Sequence, residues 1–415
     1  MFFPFKYDRV SRPPHLKLLF ISFPNKICTM TIIAEIGTAH SGDLSKAFEL
    51  IDASKEAGAD CVKFQWVYAD EILHPDTGFV DLPNGRTRLY DNFKALECNQ
   101  EFYAQCMEYA RKKNILFACS PFGLKSLKEL AELKPDAIKI ASPEVNHYPM
   151  LKECSRFYRK IPLILSSGVS KLGDIEKAME LIDASENKRA EDMKMPALTL
   201  LHCLTFYPAP EDEYNVRCVK TLGQVLGIPT GISDHSMDPV LVPVLSVAMG
   251  GAMIEKHITL SRKDSGLDDP VALEPEMFKL MVHSVHQAEA VLRHSGENEI
   301  YRQLAYEYPM EKINSILGTG IKKLAPAESA NYGRTNRSLH YMRSMKKGEK
   351  IGNGDVSVLR TEKILTPGIS PEFMELITGA VLTKDVENGA GVKLEDFIEK
   401  KRKNCGTKSR PQLKF

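Results

Sequence analysis

The chain has 415 residues, 43% apolar and 26% charged, with a formal net charge of +1. That is the composition of a globular protein with room for more than one domain and a core that needs no disulfides. Near-neutral charge without a basic, aromatic-lined face argues against nucleic acid as a partner, and no apolar run reaches the roughly 18–20 residues that span a bilayer. Nine scattered cysteines with no CxxC pair predict free thiols in a reducing, cytoplasmic setting.

Residues 1–30 read as an N-terminal extension. The apolar run at 16–23 is short, contains Lys17 and lacks a small-residue cleavage site, so a signal peptide is the weaker reading. Met30 stands directly before the first clear strand, 31–37. A helix is expected from Leu44, with Leu44, Ala47, Phe48 and Ile51 on one face, Asp43 as its cap and Gly58 as its stop. Further strands are expected at 61–65, 115–120, 137–142, 163–166, 198–203, 231–233 and 252–257, with helical patterns between most of them. Eight strands alternating with helices over residues 31–290 predict a (β/α)8 TIM barrel, with a doubly wound sheet as the alternative.

The connection from Gln65 to about Asn99 is long, as functional loops often are. Beyond about His286 the pattern changes to a linker with helical segments, 291–336. A small β-rich module follows at 337–398, and the basic tail 399–415 is expected to be disordered.

Polar residues close most of the apolar strand runs, and in a barrel that end carries the catalytic groups. Lys63 and Lys139 lie in otherwise apolar strands, where an ammonium needs a partner. With Ser120, Ser142, Ser166 and Ser233 they suit a phosphate or carboxylate, although lysines paired across the barrel and serines bonded to loop backbone would explain the same residues. His235 and His257 end neighbouring strands beside carboxylates. Two imidazoles with oxygen donors suit an open divalent site, manganese or magnesium rather than a closed zinc site. His40 and His202 are weaker candidates.

These residues, in order, resemble the sialic acid synthase family. The resembling blocks are Glu35-Ile36-Gly37-Thr38-Ala39-His40-Ser41-Gly42, Val62-Lys63-Phe64-Gln65, Ser120-Pro121-Phe122, Lys139-Ile140-Ala141-Ser142-Pro143-Glu144, Leu165-Ser166-Ser167-Gly168, Leu201-His202-Cys203 with Tyr207-Pro208, Ser233-Asp234-His235 and Glu255-Lys256-His257. The module at 337–398 resembles the antifreeze-like (SAF) domain that ends these enzymes.

The resemblance implies a metal-dependent condensation of phosphoenolpyruvate with an N-acetylmannosamine-type sugar, giving N-acetylneuraminate or a related nonulosonic acid by C–O cleavage. It implies that Lys63, Ser120, Lys139, Ser142, Ser166 and Ser233 hold phosphoenolpyruvate, with Thr205 where the family has Asn. It implies His235 and His257 as metal ligands, with His235 also in the catalytic group, and Glu35 and Glu144 as acids or bases. Gln65, Asn84, Tyr207 and Asp268 would face the sugar. Arg360 would reach it from the partner subunit in a domain-swapped homodimer. Ala39 and Pro143 depart from the family's Asn and Gly, and the block around Arg360 is stretched. Another phosphoenolpyruvate–aldose synthase, a Schiff-base aldolase on the same barrel, and a non-catalytic sugar-binding protein are the competing readings.

Overall fold

The computed structural model describes residues 30–82, 85–157, 159–182, 194–264 and 266–398. Asn84, the tail 399–415 and all of the expected extension except Met30 lie outside the described residues.

Eight parallel strands close into a barrel. They are β1 (Thr31–Gly37), β2 (Cys61–Trp66), β3 (Leu116–Pro121), β4 (Ala137–Ile140), β5 (Leu163–Ser166), β6 (Leu198–Cys203), β7 (Thr230–Asp234) and β8 (Met253–His257), and β8 pairs with β1 to complete the ring. The expected TIM barrel is therefore the observed one. The first helix, Leu44–Glu56, is capped by Asp43, whose carboxylate accepts from the Ser45 and Lys46 amides. Its stop is Gly58 at φ +95°, where an added Cβ would also lie 3.0 Å from Val282. The strand expected at 137–142 ends at Ile140, because Ser142–Glu144 forms a 3-10 turn. Residue 290, the expected end of the barrel region, falls inside the helix Pro275–Ser295.

Period-two alternation layers the barrel interior. Ile33, Cys61, Ala118, Ala137, Ile164, Leu201 and Met253 form one apolar cluster. Two residues further along the same strands stand Glu35, Lys63, Ser120, Lys139, Ser166, Cys203 and Glu255. One turn of the pleat thus converts an apolar plug into a polar floor.

The last domain is built on an antiparallel pair, β9 (Arg337–Tyr341) with β10 (Val356–Arg360), over its own small core of Leu339, Tyr341, Met345, Ile351, Ile377, Leu382 and Val392. It sits across the loops that follow β2, β3 and β4. Arg337 is the principal anchor. Its guanidinium donates to the Glu144 carboxylate at 2.5 Å, the Glu71 carbonyl at 2.6 Å and the Phe122 carbonyl at 2.5 Å. A parallel bridge joins Leu73 to Arg360, and Ile364 N donates to Thr77 O at 3.1 Å.

Candidate active site

A cavity of about 220 Å³ opens at the C-terminal end of the barrel, beneath the last domain. Its wall includes Glu35, Lys63, Gln65, Ser120, Lys139, Ser142, Ser166, Thr205, Tyr207, Ser233, His235, His257, Asp268 and Arg360, nearly the whole set expected from sequence.

The floor is an alternating ion network. Lys63 Nζ lies 2.5 Å from Glu35 Oε2, 3.2 Å from Ser120 Oγ and 3.9 Å from Glu255 Oε1. Lys139 Nζ lies 2.7 Å from both Glu255 oxygens, and Ser233 Oγ donates to the same carboxylate at 3.1 Å. These groups are almost wholly buried. Burial penalises the Glu255 carboxylate, but Lys139 and Lys63 outweigh it and hold its pKa at about 2. Burial pushes the Lys139 pKa down against the pull of Glu255. Burial raises the pKa of Glu35, with Lys63 opposing, so Glu35 is the floor carboxyl most ready to carry a proton. Gln65 donates to the other Glu35 oxygen at 2.8 Å, which fixes the plane of that carboxyl.

The serines divide. Ser120, Ser142 and Ser233 are committed to Lys63, to the Gly168 amide at 3.0 Å and to Glu255 respectively. Ser166 is different: its buried hydroxyl has no hydrogen-bond partner among the described residues. Thr205 is held by its backbone amide on Glu328 Oε1 at 2.7 Å.

The opposite wall is imidazole and phenol. His235 Nδ1 lies 2.8 Å from Leu204 O, which can only accept, so Nδ1 carries a proton and Nε2 is the nitrogen left for a ligand. Tyr207 stacks on His235 with centroids 4.2 Å apart and meets His257 edge-on at 5.9 Å; its hydroxyl is 3.2 Å from His235 Nε2. The two imidazoles are 5.6 Å apart, and His257 Nδ1 is 3.7 Å from Asp268. Burial pushes the His257 pKa down to about 4, with Asp268 opposing, so its ring is neutral at ordinary pH. Two imidazoles, each with an oxygen acceptor beside Nδ1, fit the donor set of an open metal site. Among the described residues no three His, Cys, Asp or Glu side chains converge as a closed site would require.

Two expectations change. Glu144 does not line the cavity. Its oxygens are taken by Arg337 at 2.5 Å and Arg360 at 2.7 Å, and the two guanidiniums outweigh burial to lower its pKa. A carboxylate occupied on both oxygens and absent from the cavity wall positions arginines. Asp234, beside His235 in sequence, faces away from the cavity, because alternation sends it outward to pair with Lys256 at 2.6 Å. Within the single chain described, Arg360 of the last domain reaches the cavity, stacked over Phe122 at 5.3 Å. The weaker candidates do not line this cavity. His40 packs between Phe64 and Phe102, and His202 Nε2 is taken by Tyr214 O at 2.6 Å.

Glu255 is the main residue sequence reasoning left without a role. The signal was available: it lies two residues before His257, on the same strand face. Arg337 carried no comparable signal, because its partner Glu144 lies 193 residues away.

Residues 50–297 match the NeuB family, and residues 336–398 match the SAF domain. The chain belongs to the NeuB family. This NeuB-family chain is 32% identical over 366 residues to an N,N'-diacetyllegionaminic acid synthase of Legionella pneumophila, covering 87% of this chain and 92% of that protein. It is 30% identical over 371 residues to a pseudaminic acid synthase of Campylobacter jejuni, covering 88% and 96%. The crystal structure of spore coat polysaccharide biosynthesis protein SpsE from Bacillus subtilis aligns with a TM-score of 0.73 at 30% identity, over 90% of this chain and 96% of that one. Among the described residues no helix is long and apolar enough to cross a membrane.

Proposed function

We propose that this protein condenses phosphoenolpyruvate with an N-acetylmannosamine-type sugar to form a nonulosonic acid and phosphate. The observation that carries this reading is the convergence in one cavity of two buried lysines, the unpartnered Ser166 hydroxyl and, opposite them, the His235–Tyr207–His257 wall. The synthases among its relatives support the same class.

Lys63 and Lys139 bind the carboxylate and phosphate, exchanging part of their contact with Glu255 for the substrate's oxygens. Ser166, Ser120 and Ser233 add hydroxyl donors, and the Thr205 hydroxyl contributes one more. A divalent ion held by His235 and His257, manganese in preference to magnesium, would supply Lewis acidity at the sugar aldehyde. Gln65, Tyr207, Asp268 and Arg360 orient the open-chain sugar. The C3 carbon of phosphoenolpyruvate attacks the aldehyde carbon, the C=O π electrons pass to the aldehyde oxygen, which takes a proton to become a hydroxyl, and positive charge develops at C2. Water adds at C2, one proton passing to Glu35, and the resulting tetrahedral centre collapses to the ketone as its C2 hydroxyl loses the second proton to the departing phosphate and the C2–O(phosphate) bond breaks. Release of phosphate from phosphoenolpyruvate and N-acetylmannosamine, lost with EDTA and restored by manganese, is the expected result. Turnover that survives exhaustive chelation would remove the metal from this reading.

One observation favours a Schiff-base aldolase: burial lowers the Lys139 pKa, as a nucleophilic amine requires. Against it, both Glu255 oxygens already hold that ammonium. Borohydride with the substrates present should leave the protein mass unchanged; a covalent adduct at Lys139 would replace the synthase mechanism.

The homodimer is part of the same proposal. Two chains that exchange their last domains would preserve every contact made by Arg337 and Arg360 and deliver Arg360 in trans. Mixing and refolding Lys63→Met with Arg360→Ala chains should then restore activity in a share of the dimers. No restoration would leave Arg360 serving its own barrel.

A further inference from the structure

A second cavity, about 240 Å³, lies outside the barrel interior, between the end of β6, the loop 211–215 and the segment 318–328. It is as large as the active-site cavity, and Cys203 walls both. Most of its lining is apolar, with Leu204, Leu324 and Pro326 prominent. Two polar groups in it lack full partners. Lys322 Nζ donates to Ser167 O at 2.7 Å, and among the described residues no carboxylate is paired with that ammonium. Its two other N–H bonds have no protein partner among the described residues. His202, 4% exposed, gives Nε2–H to Tyr214 O, so Nδ1 is an acceptor, and it has no donor. Burial, with Lys322 second, pushes the His202 pKa down to about 3, which keeps that lone pair free of a proton. Three carboxylates, Asp212, Glu213 and Glu328, also line the cavity; Glu328 Oε1 accepts the Val169 and Thr205 amides, each at 2.7 Å, while its charge favours the Lys322 ammonium against burial, and Glu213 accepts from Ala327 N at 2.8 Å.

A spare cationic donor and a bare acceptor in one apolar recess ask for a ligand with an anionic oxygen and a hydroxyl hydrogen. We propose that this cavity binds a small hydroxycarboxylic acid, with its carboxylate on Lys322 and a hydroxyl on His202. The volume suits a molecule below drug size, since drug-sized ligands occupy pockets of about 300–1,000 Å³.

The test uses the full-length protein and D-glycerate, read by saturation-transfer NMR, with pyruvate (no hydroxyl) and glycerol (no carboxylate) as comparisons. D-glycerate should bind best. Lys322→Met should weaken it about ten- to hundredfold, the value of a charge-assisted hydrogen bond. Leu324→Trp, at a half-exposed position, should block the cavity and carry the same test if Lys322→Met fails to fold. Binding should persist in Ser166→Ala and Lys63→Met. No D-glycerate signal, equal binding in Leu324→Trp, or loss in the two active-site variants would each overturn the proposal.

Discussion

Two buried ion clusters sit within one molecule, and they are built to opposite ends. Under the last domain, Arg337, Glu144 and Arg360 form a cluster in which both carboxylate oxygens and most guanidinium nitrogens meet protein partners. On the barrel floor, Glu35, Lys63, Glu255 and Lys139 also pair. Yet there the lysines face a cavity, Ser166 is unpartnered, and burial pushes the Glu35 and Lys139 pKa values in opposite directions. A satisfied cluster holds two parts of a chain together. A cluster with unspent donors and displaced proton affinities is one arranged for a ligand. Buried charge alone does not distinguish function from architecture; the balance of unmet hydrogen bonds does.

If that contrast holds, substitutions on the two sides should fail differently. The largest effect is expected at the cavity wall. His235→Ala should lower the rate of phosphate release by about a hundredfold or more. Stability should change little, because the His235 amide keeps its bond to Tyr214 Oη at 2.6 Å. Stopped assays alongside urea unfolding would check both halves. Unchanged turnover would take His235 out of the site.

Arg337→Met should do the reverse. Removing one partner of a buried pair costs about 3–5 kcal/mol, and here it also strands the Glu71 and Phe122 carbonyls. The urea midpoint should fall, and limited proteolysis should open the segment 318–336. A variant of normal stability with lost turnover would mean that the cluster acts on the reaction itself.

Acid should separate the clusters without mutation. Glu144 has its folded-state pKa below the unfolded value. Its stabilising contribution is therefore fully present above about pH 4.3, the ordinary glutamate value, and is lost as pH falls through the folded value. Glu35 has a raised pKa and the opposite sign, its contribution being lost as pH rises through its folded value. Protease sensitivity at 318–336 should rise below the ordinary glutamate range while the barrel's circular dichroism persists. Simultaneous loss of both signals would show that the domain contact does not titrate independently.

The contrast also sorts what was legible in the sequence. Period-two alternation and polar strand ends were enough for the barrel and most cavity residues, because each strand carries its own evidence locally. Glu144 and Asp234 went astray for the same reason. Adjacency to site residues says nothing about which way a side chain points after a strand ends or when the face alternates. Arg337 was illegible because its meaning lies in loops some 190 to 270 residues earlier. The stretched block after Arg360 was visible as a departure, but its partners were not.

Those partners give the smallest and sharpest prediction. Arg334 donates to the carbonyls of Glu362, Lys363 at 2.8 Å and Leu365 at 3.3 Å, and its own carbonyl accepts the Thr361 amide at 3.0 Å. Thr77 grips the same segment from the β2 loop, through Thr361 O at 3.0 Å and the Ile364 amide. The extra residues after Arg360 are thus tied to two separate parts of the chain, and the tie begins one residue beyond the arginine that enters the cavity. Arg334→Ala should let Arg360 wander while leaving Glu144 in place. On the proposed function, the KM for the sugar should rise about tenfold, the value of one or two hydrogen bonds, with the KM for phosphoenolpyruvate and kcat nearly unchanged. Arg334→Lys should rescue only part of this, since one ammonium cannot span three carbonyls. Arg360→Ala should show the same split more strongly. Equal rises for both substrates would place Arg334 with the stabilising cluster, and the boundary between the two clusters would then run on the cavity side of Arg360.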